Sequence, residues 1–146
     1  MAKVIIDATD LILGRMSAYV AKQAILGNQI DIVNCEECVI KGTKDSILEN
    51  YRQKFSRGTH AKGPFMFKKP NFFVKRTIRG MIPYRRGRGK EAFKSIKCYI
   101  GVPENMKEQE FKTYDDINVL KRQSSRALKY MKLKELCRYL GWKSYV

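Results

Sequence analysis

Two short runs of branched apolar residues, Val4-Ile-Ile and Gln29-Ile-Asp-Ile-Val-Asn34, stand on either side of a helical stripe, and this arrangement constrains the fold more than any other feature. Between the runs, Leu13, Met16, Val20 and Ala24, joined by Ala21 and Ile25, fall on one helical face, while Arg15 and Lys22 fall on the other. Asp7-Ala-Thr-Asp10 supplies capping oxygens before the helix and Gly27 ends it. Strand, helix and strand within about thirty residues leave a parallel pairing as the simple solution, so residues 3–34 are expected to form one βαβ unit. The turn after the first run carries only Gly14 and no GxGxxG, which favours a structural unit over a nucleotide-binding half.

The remaining elements follow from periodicity and breakers. Val39-Ile40 is expected as a short edge strand, and Ile47, Tyr51 and Phe55, with Leu48, predict a helix over 45–55. Val74, Ile78, Met81 and Ile82 predict a helix stopped by Pro83, and Ala92, Phe93 and Ile96 a short helix over 90–97. Cys98-Tyr-Ile-Gly-Val-Pro103 reads as the last strand of the sheet, and 104–116 as a polar surface excursion. From Ile117 the tail offers Leu120, Leu128 and Met131, then Leu133, Leu136, Cys137 and Leu140; two short helices with a break near Lys132 are preferred over one long helix. At 146 residues the length fits one domain, 1–146, with a basic region over 52–97 and a C-terminal tail over 104–146.

The charge is local. Residues 52–97 hold 15 of the 30 Lys and Arg and a single acid, Glu91, a net +14, whereas 1–51 carry −2 and 98–146 carry +4. Such a field repels itself unless a polyanion neutralises it, and the glycines and arginines interleaved with it suit close, bidentate contact with phosphates. Clusters on turns and short helices around an α/β body suit an irregular folded RNA better than a DNA major groove. Gly80 costs its helix about 1 kcal/mol relative to alanine, which points to a close approach there. Tyr84-Arg-Arg-Gly-Arg-Gly89 has too few apolar groups to fold alone and is expected to be fixed by its partner, beside the free N–H groups of the helix that follows. In the preceding loop Phe65, Phe67, Phe72 and Phe73 alternate with lysines; pinning the loop to the body is preferred over stacking on bases.

Other classes fit poorly. Catalysis would need a base and nucleophile pair, a carboxylate dyad or a phosphate loop, and neither GxxxxGK[ST] nor GxSxG occurs. His60, the one histidine, lies in the basic loop and reads as an RNA-facing or plain surface residue. Cys35-Glu-Glu-Cys38 has the spacing of half a zinc site or a redox pair, but Cys98 and Cys137 are single residues in apolar patterns, and two glutamates inside the motif would raise a thiol pKa. Ordinary buried thiols are preferred, with disulfide and metal left open, and no metal or cofactor is expected. No apolar run approaches the roughly 20 residues of a membrane span, and the start lacks a signal-peptide core, so the expectation is a soluble, intracellular protein with no membrane partner.

These residues resemble a known signature. Lys75-Arg-Thr-Ile-Arg-Gly-Met-Ile-Pro83, Arg85-Arg-Gly-Arg-Gly-Lys-Glu-Ala-Phe93 and Cys98-Tyr-Ile-Gly101 are similar to the family of the thirteenth protein of the large ribosomal subunit. Asp7, Gly14-Arg15, Val33-Asn-Cys-Glu and Ile40-Lys-Gly-Thr-Lys44 match in the same order, and the length and the tail near Leu140-Gly-Trp142 resemble archaeal-type members. The resemblance implies a three-layer α/β/α fold with a four-stranded, mainly parallel sheet. It also implies a cytoplasmic ribosomal protein, not an enzyme, that binds and neutralises large-subunit rRNA and helps early subunit assembly, with rRNA and neighbouring large-subunit proteins as partners and no small-molecule substrate. The alternative is an RNA-binding regulator acting off the ribosome. By motif position the RNA contacts come from Lys75, Arg76, Arg79, Arg85, Arg86, Arg88 and Lys90, with Arg57, Lys62, Lys68 and Lys69 from the preceding loop. Arg52, Lys54, His60, Tyr84 and Lys94 extend the same candidate face. Tyr84 departs from the histidine of many members, and a tyrosine stacks and donates one hydrogen bond but gains no proton.

Overall fold

The computed structural model describes residues 2–121 and 129–144. The expected βαβ unit forms, from β1 (Lys3–Asp7) through α1 (Leu13–Ile25) to β2 (Gln29–Val33). β1 pairs in parallel with β2 from Lys3↔Gln29 to Asp7↔Val33. Further along the chain come β3 (Val39–Lys41), α2 (Lys44–Ser56), α3 (Pro70–Met81), α4 (Gly87–Lys94), β4 (Ile96–Cys98), β5 (Tyr130–Lys132) and α5 (Leu133–Tyr139).

The four-stranded expectation is met only in part. Among the described residues the parallel sheet has three strands, ordered β1-β2-β4, with Ile30↔Ile96 and Ile32↔Cys98 in register. β3 does not join it as a fourth strand; it pairs antiparallel with β5, Val39 opposite Lys132 and Lys41 opposite Tyr130. β4 shares only Cys98 with the strand expected over 98–103 and takes Ile96 and Lys97 from the helix expected over 90–97, because the chain after it turns back on the end of β2: Asn34 N–H donates to the Gly101 carbonyl and Cys35 N–H to that of Tyr99.

Alternation along the strands divides the interior. Ile6, Ile30, Ile32 and Ile96 face the main core with Leu13, Met16 and Val20 of α1 and Phe73, Val74 and Ile78 of α3. Ile5 and Val33 point the other way, onto Met106, Tyr99, Val102 and Phe111. That second face is covered by irregular chain and short 3-10 turns rather than a helical layer, because the segment after β4 is polar and lends few apolar side chains. Asp31 of the central strand is buried on this face, with Lys3 Nζ 3.5 Å from its carboxylate.

Asp7 does not cap α1, which begins after Ile12 with no side-chain cap. Its Oδ1 instead accepts hydrogen bonds from Thr9 N–H (3.0 Å), Thr9 Oγ1 (2.7 Å) and Asn34 Nδ2 (3.0 Å), tying the C-terminal ends of β1 and β2 together. The Cys35–Cys38 motif works in two directions. Its thiols are free and buried, while Glu36 accepts the Gly101 N–H and Glu37 accepts from Lys132 Nζ at 2.6 Å. Of the two short tail helices expected, only the second forms among the described residues, as α5 after Lys132; Met131 lies on a strand, Leu120 is exposed and Leu128 lies outside the described residues.

Candidate nucleic-acid interface

Helix α3 is the spine of the basic region. It starts four residues earlier than periodicity alone suggests, because Pro70 suits a first helical turn and Phe73 is buried with Val74 and Ile78. Its opposite face carries Lys75, Arg76 and Arg79, and its twelve residues set the two basic clusters about 18 Å apart.

At its C-terminal end, α3 meets α4 in an alternation of cations and rings. Lys75 Nζ lies 5.1 Å from the centre of the Phe93 ring, Phe93 meets Tyr84 edge-on at 5.3 Å and 85°, and the Arg79 guanidinium lies 5.5 Å from the Tyr84 ring. Arg79, Tyr84, Arg85 and Arg86 line one open depression over Ile82 and Pro83. The Arg-Gly segment is more ordered than expected: Gly87, Arg88 and Gly89 form the first turn of α4, whose N-cap, Arg86, contributes no side-chain hydrogen bond. Gly89 permits this turn, since a Cβ there would stand 2.1 Å from the Pro83 carbonyl oxygen. By contrast a Cβ on Gly80 would meet nothing within 4 Å, so no packing among the described residues requires that glycine.

At the N-terminal end of α3, the loop after α2 gathers Arg57, His60 and Lys68 around a second depression. Arg76 Nη1 donates to the Phe65 carbonyl at 2.8 Å, which fastens this loop to α3, and Lys54 Nζ lies 4.8 Å over the Tyr51 ring. Arg88 turns the other way, donating to the Ile25 carbonyl at 3.2 Å. Arg52, Lys62, Lys69, Lys90 and Lys94 are exposed without joining either depression. Of the sixteen candidate residues only Lys75 and Arg76 are half-buried, and the other fourteen are exposed.

Electrostatically the face is uncompensated. Among the described residues, none of the cations between 52 and 97 forms an ion pair with a carboxylate; the pairs present involve Lys3, Lys44, Lys121, Lys132 and Lys134. Glu91 is exposed and unpaired among those residues. Such an array can hold converging phosphates.

Two features escaped the reading of the sequence. Phe65, Phe67 and Phe72 do not pin the loop: they are 66%, 49% and 45% exposed, and only Phe73 is buried. Lys97, on β4, is also exposed beside a cleft that adjoins Lys75. For the rings, the absence of any acid between Glu49 and Glu91 was the available signal. Elsewhere, burial pushes the Cys38 thiol up and that of Cys137 up to about 12; Cys35 is raised by its hydrogen bond with Cys98 and by burial. Among the described residues no three His, Cys, Asp or Glu side chains converge to hold a metal ion.

A family model described as ribosomal protein L13 matches residues 2–105. The large ribosomal subunit protein uL13 of Archaeoglobus fulgidus is 40% identical over 139 residues, covering 95% of this chain and 88% of its own length. Those of Methanosarcina barkeri and Natronomonas pharaonis are 43% and 39% identical, over 95% and 96% of this chain and 98% and 92% of theirs.

Proposed function

The chain belongs to the ribosomal protein L13 family, and from that premise we propose that it is a structural constituent of the archaeal-type large ribosomal subunit in the cytoplasm. Its work there is to bind large-subunit rRNA, neutralise converging phosphates and assist early subunit assembly. The observation that carries this reading is the cation face between 52 and 97, which among the described residues forms no ion pair with the carboxylates of its own α/β body. Lys75, Arg79, Tyr84, Arg85 and Arg86 form the ring-braced centre of the contact, with Arg57, His60, Lys62, Lys68 and Lys69 in the loop at the far end of α3. Arg52, Lys54, Lys90 and Lys94 widen the surface, while Arg76 and Arg88 also spend donors on holding the fold.

The residues act as one domain over 1–146, with rRNA and neighbouring large-subunit proteins as partners, and as a binder rather than a catalyst. The second reading, an RNA-binding regulator off the ribosome, uses the same face. A sucrose gradient of lysate at high salt separates the two. Sedimentation with large subunits is expected; recovery at the top of the gradient, away from them, would overturn the ribosomal role.

A further inference from the structure

In the loop between α2 and α3, exposure alternates along Phe65-Met66-Phe67. Met66 is half-buried and lines, with Phe67, a depression beside Tyr51 and Phe73, while both phenylalanines are exposed. A segment selected only for packing would put its rings inside and its flexible residue outside. Phe72, on the first turn of α3, is exposed as well, and its ring lies 5.5 Å from that of Phe67 with the planes only 32° apart. The three rings sit on a fixed backbone. Thr59 and Gly63 exchange backbone hydrogen bonds of 3.1 and 2.9 Å across the loop tip, and Arg76 holds the Phe65 carbonyl. Beside Phe72 a cleft of about 210 Å³ runs along Lys75 and Lys97 to Tyr99.

We propose that Phe65, Phe67 and Phe72 form a stacking platform for unpaired bases of RNA, with Lys75 and Lys97 taking phosphates of the same strand. This rests on the RNA-binding reading above and adds to it, because phosphate neutralisation needs no rings. The charge selects the occupant. From residue 50 to residue 90 the chain has no carboxylate, so the segment that carries the rings contributes charged groups of one sign only. Every base offers a π-face, and aromatic side chains on a cationic groove are how single strands are held without duplex geometry.

The test compares the full chain with a Phe67→Leu/Phe72→Leu double variant, which keeps apolar volume at exposed positions. The probes are a fluorescent oligouridylate and an RNA hairpin duplex at one salt concentration. Oligouridylate affinity is expected to fall about tenfold or more while duplex affinity holds, and Phe67→Trp/Phe72→Tyr should retain the parent's affinity for both. Equal loss on both probes, no loss on either, or a parent that ignores oligouridylate while binding the duplex overturns the platform. Leucine variants that bind both RNAs normally but fail to enter large subunits would assign the rings to a protein neighbour and equally refute it. An Arg85→Ala/Arg86→Ala variant keeps the two readings apart. If that variant binds both probes as the parent does, the phosphate face is wrong, whatever the phenylalanines do.

Discussion

The Arg79 guanidinium lies 5.5 Å over the ring of Tyr84, which is itself held edge-on by Phe93. An arginine braced in this way loses less freedom when it meets a phosphate than one on a free stem. Tyr84→Ala is therefore expected to weaken rRNA binding by about 0.5–1 kcal/mol, roughly two- to five-fold, though the mutated residue need not touch RNA. Binding by the Arg79→Ala/Tyr84→Ala double variant should equal that of Arg79→Ala alone; independent, additive losses would show that the ring does not act through the arginine.

The unpaired face predicts a steep salt dependence. If six to ten cations meet phosphates, log affinity for a duplex-rich rRNA fragment falls against log salt with a slope of about −5 to −9. Arg85→Ala/Arg86→Ala should make the slope shallower by about 2 and leave the urea midpoint unchanged, since both side chains are exposed and neither forms an ion pair among the described residues. An unaltered slope would remove the two arginines from the contact.

Two glycines in the basic region separate packing from binding. Gly89→Ala drives a methyl into the Pro83 carbonyl and is expected to destabilise the fold by about 1–3 kcal/mol. Gly80 has open space around it, so Gly80→Ala should stabilise α3 by about 1 kcal/mol and raise Tm by about 2–4 °C, while weakening rRNA binding. A variant that is more stable and binds as tightly as the parent would show that no backbone approaches there.

Glu37 joins the motif turn to the C-terminal region through Lys132 at 2.6 Å and Lys134 at 3.7 Å. The hydrogen bond from Lys132 holds the Glu37 carboxyl below its ordinary value, and the same bond raises Lys132. The depressed carboxyl contributes stability above its unfolded pKa of about 4.3 and loses it as pH falls through the folded value. The raised ammonium contributes below about 10.4 and loses it as pH climbs through its folded value. Both groups are partly exposed, so Glu37→Gln should cost no more than about 1 kcal/mol near neutrality. In urea melts the gap between variant and parent should close in acid; a gap independent of pH would contradict the ion pair.

Three of the four thiols should resist a thiol reagent at neutral pH. Cys35, Cys38 and Cys137 are buried and raised, so little thiolate is present and the reagent cannot reach it, whereas Cys98 is half-exposed. Mass spectrometry after brief labelling should find Cys98 modified first and the others only in denaturant. Early labelling of Cys38 would show that the motif turn opens in the native state.

Much of this was legible in order along the chain. The βαβ unit, the helices of the basic half and the last helix after Lys132 follow from patterns within a few residues of one another. The sequence alone also concentrated the cations, since charge is counted without knowing the fold. It could not place Val39-Ile40, whose partner strand lies some ninety residues away, nor show that Asp7 would hold Asn34 across two strand ends rather than cap its own helix. Tertiary structure alone decided which phenylalanines were left outside. Hydrophobicity sends every ring inward, but the core beside α3 was already filled by Phe73, Val74 and Ile78, so Phe65, Phe67 and Phe72 stayed on the cationic surface.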